Sequence, residues 1–271
     1  MKVLNNIIKV LILAVATICH FSGYANGGAA EAQAEWQRGL EAYAAKSYAE
    51  AKEAFEKVET MGYATADLYY NLGNTYFKLG QQHERAYEGG ELGRAILNYR
   101  RALKCDPAME DARYNLDIAQ DFTNDAEPLP VGVVSSMWSG LRGFMSSNGW
   151  VSVSIISLVV ALSLVMLYLL SDKIVIRKSA FFVAIALIFV FILTTALSVA
   201  QRTAYESSSE AVIICNNIIS VHASPDNTSK VIRQPSQGVS VYIIRTHGDW
   251  TEIEFVDGEK GWIPSKSVER V

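Results

Sequence analysis

Cysteine is almost missing from this chain: Cys19, Cys105 and Cys215 are all there is. Cys19 lies in the N-terminal leader described below, and the other two fall in different parts of the chain, so no disulfide framework is implied. Basic charge is scarce too. A formal net charge of −4 leaves no electrostatic footprint for nucleic acid. There is no Gly-rich phosphate loop, no Gly-x-Ser-x-Gly elbow, no His-Glu-x-x-His and no Cys-x-x-Cys pair. Cys215, His222 and His247 supply the residue types of a cysteine peptidase. Cys215, however, continues an apolar β-run instead of opening a helix, where a thiol would be activated, and no separate catalytic domain of sufficient length remains. No catalytic residue, metal ligand or cofactor is expected, and the chain reads as a non-enzyme.

What is present is apolar length. Trp150–Leu170 and Ala180–Ala200 each run about twenty residues without a charge, enough at about 1.5 Å per residue to cross a hydrocarbon core of roughly 30 Å. The intervening loop, residues 171–179, carries Lys173, Arg177 and Lys178 against Asp172, which predicts a cytoplasmic loop. Two crossings return the chain to its starting side. The polar regions on either side of the hairpin are therefore expected in one non-cytoplasmic compartment. The N-terminus agrees: Lys2 and Lys9 precede the apolar Val10–Ile18, and Gly23-Tyr24-Ala25 offers small residues for cleavage, predicting a signal peptide over residues 1–25.

Residues 30–122 repeat themselves. Gly39-Leu40-Glu41-Ala42-Tyr43 with Ala51, Phe55 and Val58 aligns with Leu72-Gly73-Asn74-Thr75-Tyr76 followed by Ala95, Tyr99 and Ala102. Gly39 and Gly73 stand 34 positions apart, and about ten residues, Gln81–Gly90, are inserted in the second unit. Glycine at such positions lets two helices approach closely, alanine keeps the second helix thin, and Pro107 ends a helix that its ring could not continue. A closing helix is predicted over Met109–Asp121. The pattern resembles tetratricopeptide repeats, which form an α-helical solenoid and bind peptides in a groove lined by the first helix of each unit. Carried over by phase, the resemblance implies a protein-binding groove of Trp36, Tyr43, Tyr70, Asn74, Phe77, Lys78 and Tyr114. Aromatic faces with one amide and one cation suit an extended peptide.

Residues 123–149 form a polar, proline-marked linker followed by an amphipathic stretch from Val131 that reads as an interfacial helix. From 210 to 271 the period becomes strand-like. Val212–Ile214, Val239–Ile244, Trp250–Phe255 and Gly261–Ile263 are short β-rich runs divided by turns at Ser224-Pro225-Asp226, His247-Gly248-Asp249 and Asp257-Gly258-Glu259. About five short strands predict a small all-β closed barrel. Val221–Pro225, Gly238, Gly248-Asp249-Trp250 and Gly261-Trp262-Ile263-Pro264 follow the order of landmarks in bacterial SH3 domains, whose surface would here expose Trp250 and Trp262.

The whole order is signal peptide, repeats, interfacial stretch, two-helix transmembrane hairpin and SH3-like barrel, a multidomain membrane protein. It resembles the BatE-type proteins of bacterial aerotolerance (Bat) operons. That resemblance implies an inner-membrane protein with both soluble modules periplasmic, and a scaffold working beside von Willebrand factor A-type Bat proteins and a MoxR-type ATPase in envelope or oxidative stress. The alternative is a cell-wall sensor whose barrel binds peptidoglycan; the short predicted cytoplasmic loop leaves it no room for an output domain.

Overall fold

The computed structural model describes residues 26–82, 89–123, 144–145, 147–206, 209–216 and 218–271. The expected signal peptide lies outside them, as do most of the insertion and of the interfacial stretch. The described residues fall into two units, one ending at Tyr63 and one running from Ala64 to Val271.

The first unit holds a helical hairpin, α1 (Asn26–Ala44) and α2 (Tyr48–Thr60). Gly39 faces the Phe55 ring so closely that a Cβ there would stand 2.5 Å from it. Ala51, Ala54 and Phe55 are wholly buried. Lys57 Nζ lies 2.7 Å from Glu35 Oε1, and that hydrogen bond holds the Glu35 carboxyl below the usual carboxylate range.

The second unit opens with α3 (Ala66–Gly80), α4 (Glu91–Cys105) and α5 (Glu110–Asp121). Thr65 starts α3 as a side-chain cap, its Oγ1 accepting the Leu68 N–H at 3.2 Å. The contact of the first hairpin recurs: a Cβ on Gly73 would stand 2.6 Å from the Tyr99 ring. Both rings are buried, and both sit where a thin helix crosses a glycine. The sequence reading expected close helix approach at both glycines; the structure adds that each glycine is covered by a ring of the following helix.

Two long helices follow, α6 (Ser147–Leu170) and α7 (Ile174–Glu206). They run antiparallel, with Ser154 Oγ 2.7 Å from Thr195 Oγ1 and the Tyr168 and Phe181 rings 5.8 Å apart. Ala161, Ala180, Ala184 and Leu197 are buried along the seam, while Ile156, Leu162, Phe182 and Phe189 are exposed. Both helices are long and apolar enough to cross a membrane. The turn is tighter than the nine-residue loop predicted. Only Ser171-Asp172-Lys173 lies between the helices, because Ile174–Ser179 contains no helix breaker and simply joins α7.

The C-terminal region is an antiparallel sheet: β1 (Glu210–Ile213), β2 (Val221–His222), β3 (Val231–Arg233), β4 (Ser240–His247), β5 (Trp250–Glu254), β6 (Lys260–Pro264) and β7 (Val268–Arg270). Its order is β3-β2-β6-β5-β4-β1-β7. Val221 of β2 and Val268 of β7, near opposite ends of that order, share one core with Ala211, Ile213, Val241, Ile253, Phe255 and Ile263. A flat sheet could not do this, so the sheet curls into a barrel. β3 and β7 are too short for alternation to be read from the sequence.

The barrel packs against α4, and the contact is built from both sides. At the helix's first turn Gly90 offers no side-chain cap, and the Gly93 N–H is instead taken at 2.9 Å by Gln237 Oε1 of the β3–β4 turn. Helix and strand come close enough there that a Cβ on Gly93 would stand 2.8 Å from the Ile213 carbonyl oxygen. Further along, Arg100 pairs with Glu210, and Arg101 Nη2 reaches Glu269 Oε1 at 2.8 Å and the Arg270 carbonyl at 2.7 Å. Lys104 Nζ donates to the Val271 main-chain oxygen at 2.6 Å. Burial against the barrel holds the Lys104 ammonium below the ordinary lysine range, with Glu210 opposing the shift. These cations also cover the edge strand β7, whose outer carbonyls would otherwise be open to another strand.

Candidate functional site

Two surfaces carry the side chains singled out in the sequence. The first lies on α3 and α5. Asn74, in the middle of α3, accepts at Oδ1 from the Tyr99 hydroxyl and from Asn115 Nδ2, both at 2.8 Å. Asn115 Nδ2 also lies 3.5 Å from the Tyr70 hydroxyl. With its oxygen doubly occupied, the Asn74 amide is fixed in orientation, and its NH₂ has no hydrogen-bond partner among the described residues. Tyr70 is half-buried, its ring 6.4 Å from that of Tyr99. One turn on, Phe77 is half-buried edge-on to Phe122 at 5.9 Å, and Lys78 Nζ reaches Gln81 Oε1 at 3.3 Å. The structure therefore brings Tyr70 and Asn74 together in one polar cluster, with Phe77 and Lys78 further along the same helix.

Tyr114 is different. It is 67% exposed, and the neighbour that turns toward α3 is Asn115. The sequence held a signal for this: Tyr70-Asn71-Leu72 recurs as Tyr114-Asn115-Leu116, yet Asn71 Nδ2 bonds the Asp67 carbonyl of its own helix while Asn115 reaches across to α3. In the first unit, Trp36 packs 5.4 Å from the Phe55 ring that covers Gly39, and Tyr43 stands 5.3 Å from Tyr48. Both are half-buried and serve hairpin packing.

The second surface is the outer face of the barrel. Strand register places His222, Trp262, Glu252 and Arg245 in one row across β2, β6, β5 and β4. Arg245 lies over the Trp262 ring, 5.4 Å from its centroid, and its Nε donates to Glu252 at 2.5 Å. His222 meets the half-buried Trp250 edge-on at 5.4 Å. Trp262, expected on the surface, is only 8% exposed, because Arg245 and the neighbouring strands cover it. Trp250 is the more open of the two indoles. At the rim, Asp257 accepts from the Glu259 N–H at 3.0 Å and from Arg233 at 2.8 Å; the turn N–H and then the guanidinium hold its carboxyl below the usual range. Its contribution to the turn is present above the unfolded carboxyl pKa and lost as pH falls through the folded one.

This strand order and landmark spacing have a counterpart among known families. Residues 219–269 match the family model described as the bacterial SH3 domain. None of the curated proteins matches the chain. The SH3 match begins after β1, so the strand that inserts between β4 and β7 and carries Glu210 to Arg100 lies outside it. A bacterial SH3 domain suggests binding of protein or peptidoglycan, and the row through Trp262 with Trp250 beside it is the face of this one where flat contact and charge occur together.

Proposed function

We propose that this chain is a membrane-anchored, non-enzymatic scaffold of the BatE type, holding a partner's extended segment on a tetratricopeptide-like groove. The observation that carries the reading is the Tyr70–Asn74–Asn115 cluster: an oriented amide beside an aromatic ring. Such a pair offers main-chain hydrogen bonds and apolar contact to a peptide without selecting a charged end. On this reading the partners are von Willebrand factor A-type Bat proteins in a MoxR-type system, and the SH3-like barrel adds a second binding surface.

Membrane anchoring is supported by the outward apolar faces of α6 and α7, which water would not tolerate at that extent. The docking of the barrel on α4 supports the two-crossing topology independently of loop charge, since residues 91–105 and 210–271 touch only if both lie on one side. With the basic turn cytoplasmic, that side is the periplasm. Reporter fusions at Asp125 and at Val271 should both read non-cytoplasmic, and one at Asp172 cytoplasmic. Opposite sides for Asp125 and Val271 would sink the hairpin.

Binding is tested by Tyr70→Ala combined with Asn115→Ala, which leaves the Tyr99–Asn74 bond in place. Capture of Bat-type partners from detergent-solubilised membranes should drop roughly tenfold or more, the scale of a central aromatic contact worth ~2 kcal/mol. Helix content by circular dichroism should stay as in the unaltered chain. A folded double variant that still captures every partner moves the binding surface to the barrel around Trp250.

A further inference from the structure

The closed end of the α6–α7 hairpin gathers cations that pair with no carboxylate among the described residues. Lys173, Arg177 and Lys178 are exposed, and none forms an ion pair among the described residues. Arg177 N–H bonds the Lys173 carbonyl at 3.1 Å, so these two residues lie one helical turn apart on the same side of α7. The Arg177 guanidinium rests over the Tyr168 ring, 5.1 Å from its centroid, and that ring is braced by Phe181 at 5.8 Å. Stacking fixes the plane of the guanidinium and leaves its N–H edges free to grip an oxyanion. Asp172 is the only carboxylate in the turn.

Apolar side chains stand beside the cations. Leu169 is 71% exposed, Ile174 68% and Val175 77%. A free anion would match the charges and make no use of these apolar side chains. A molecule with a negative headgroup and acyl chains matches both at once. We propose that this end of the hairpin binds an anionic phospholipid, its phosphate held between Arg177, Lys173 and Lys178 and its chains along the exposed leucine and isoleucine. The proposal rests on the membrane reading above.

The test uses the full chain in detergent, titrated with phosphatidylglycerol or phosphatidylcholine and examined by native mass spectrometry. Phosphatidylglycerol should be retained in preference, and Arg177→Gln with Lys178→Gln should lower its retention roughly tenfold or more. Arg202→Gln, at the other end of α7, should retain it like the unaltered chain. Equal retention of both lipids, or undiminished retention by the double variant, overturns the proposal. So does displacement by millimolar inorganic phosphate, which would mark a simple anion site. Release of the chain from membranes by alkaline carbonate without detergent would instead overturn the membrane reading.

Discussion

The variant Gly93→Leu is expected to unfold in two separate transitions, where the unaltered chain unfolds α3–α5 and the barrel together. The missing side chain at position 93 faces the Ile213 carbonyl at a distance no Cβ occupies, and both partners are main chain. Neither can rotate away, so a leucine must force α4 and β1 apart. Overpacking costs about 1–3 kcal/mol where side chains can yield, and more where the obstacle is backbone. Separation would also strip the Gln237 cap from the Gly93 N–H, worth ~1 kcal/mol, and stretch the Arg100–Glu210 and Arg101–Glu269 pairs. Thermal unfolding in detergent, followed by far-ultraviolet dichroism for the helices and tryptophan fluorescence for Trp250 and Trp262, separates the two events. A single transition at the unaltered temperature would mean that the interface contributes nothing to cooperativity. Arg100→Glu reaches the same interface without touching the helix backbone and should act in the same direction.

Gly73→Leu carries the second large effect. Its side chain would enter the space of the Tyr99 ring, which is 1% exposed and cannot move outward. The expected cost is about 1–3 kcal/mol or more for the clash. Displacing the ring also breaks the bond from the Tyr99 hydroxyl to Asn74, at about 1 kcal/mol. The Asn74 amide then loses one of the two donors that orient it, so groove binding should fall together with stability. Gly73→Ala, with a smaller intrusion at the same point, should lie between. An unchanged melt for Gly73→Leu would show that α3 and α4 do not meet as described.

Much of this was legible because it rests on local rules. Glycine at a close helix approach, alanine along the thin helix and two charge-free runs are patterns that short-range packing imposes, and the structure shows a tight contact at Gly39 and Gly73, buried Ala51, Ala95 and Ala102, and two long apolar helices. The β-runs with their Gly-containing turns gave the barrel. The misjudged parts depend on distant chain segments. Nothing local marks Gly93 as an interface residue; a side chain there would meet a strand more than a hundred residues later. The contact of Asn115 with Asn74 was not read, because the sequence places Tyr114 and Asn115 side by side on α5 without saying which of them turns toward α3. Trp262 read as surface because nothing near it in sequence announces that Arg245 will lie across its ring. The loop at 171–179 shrank to three residues because positive charge marks a membrane boundary without ending a helix.

The cap on α4 also has a consequence for biosynthesis. Gln237 follows Gly93 by 144 positions and Glu269 follows Arg101 by 168, with both long apolar helices in between. Helix α4 is therefore made well before the residues that finish it. While the hairpin is being made, the first turn of α4 has unsatisfied N–H groups and its Arg100–Lys104 face has no strand to cover. The helical module matures only when the last strand arrives, a slow, non-local step. Nascent chains halted before β1 should leave α4 open to added protease, and the completed barrel should end that vulnerability.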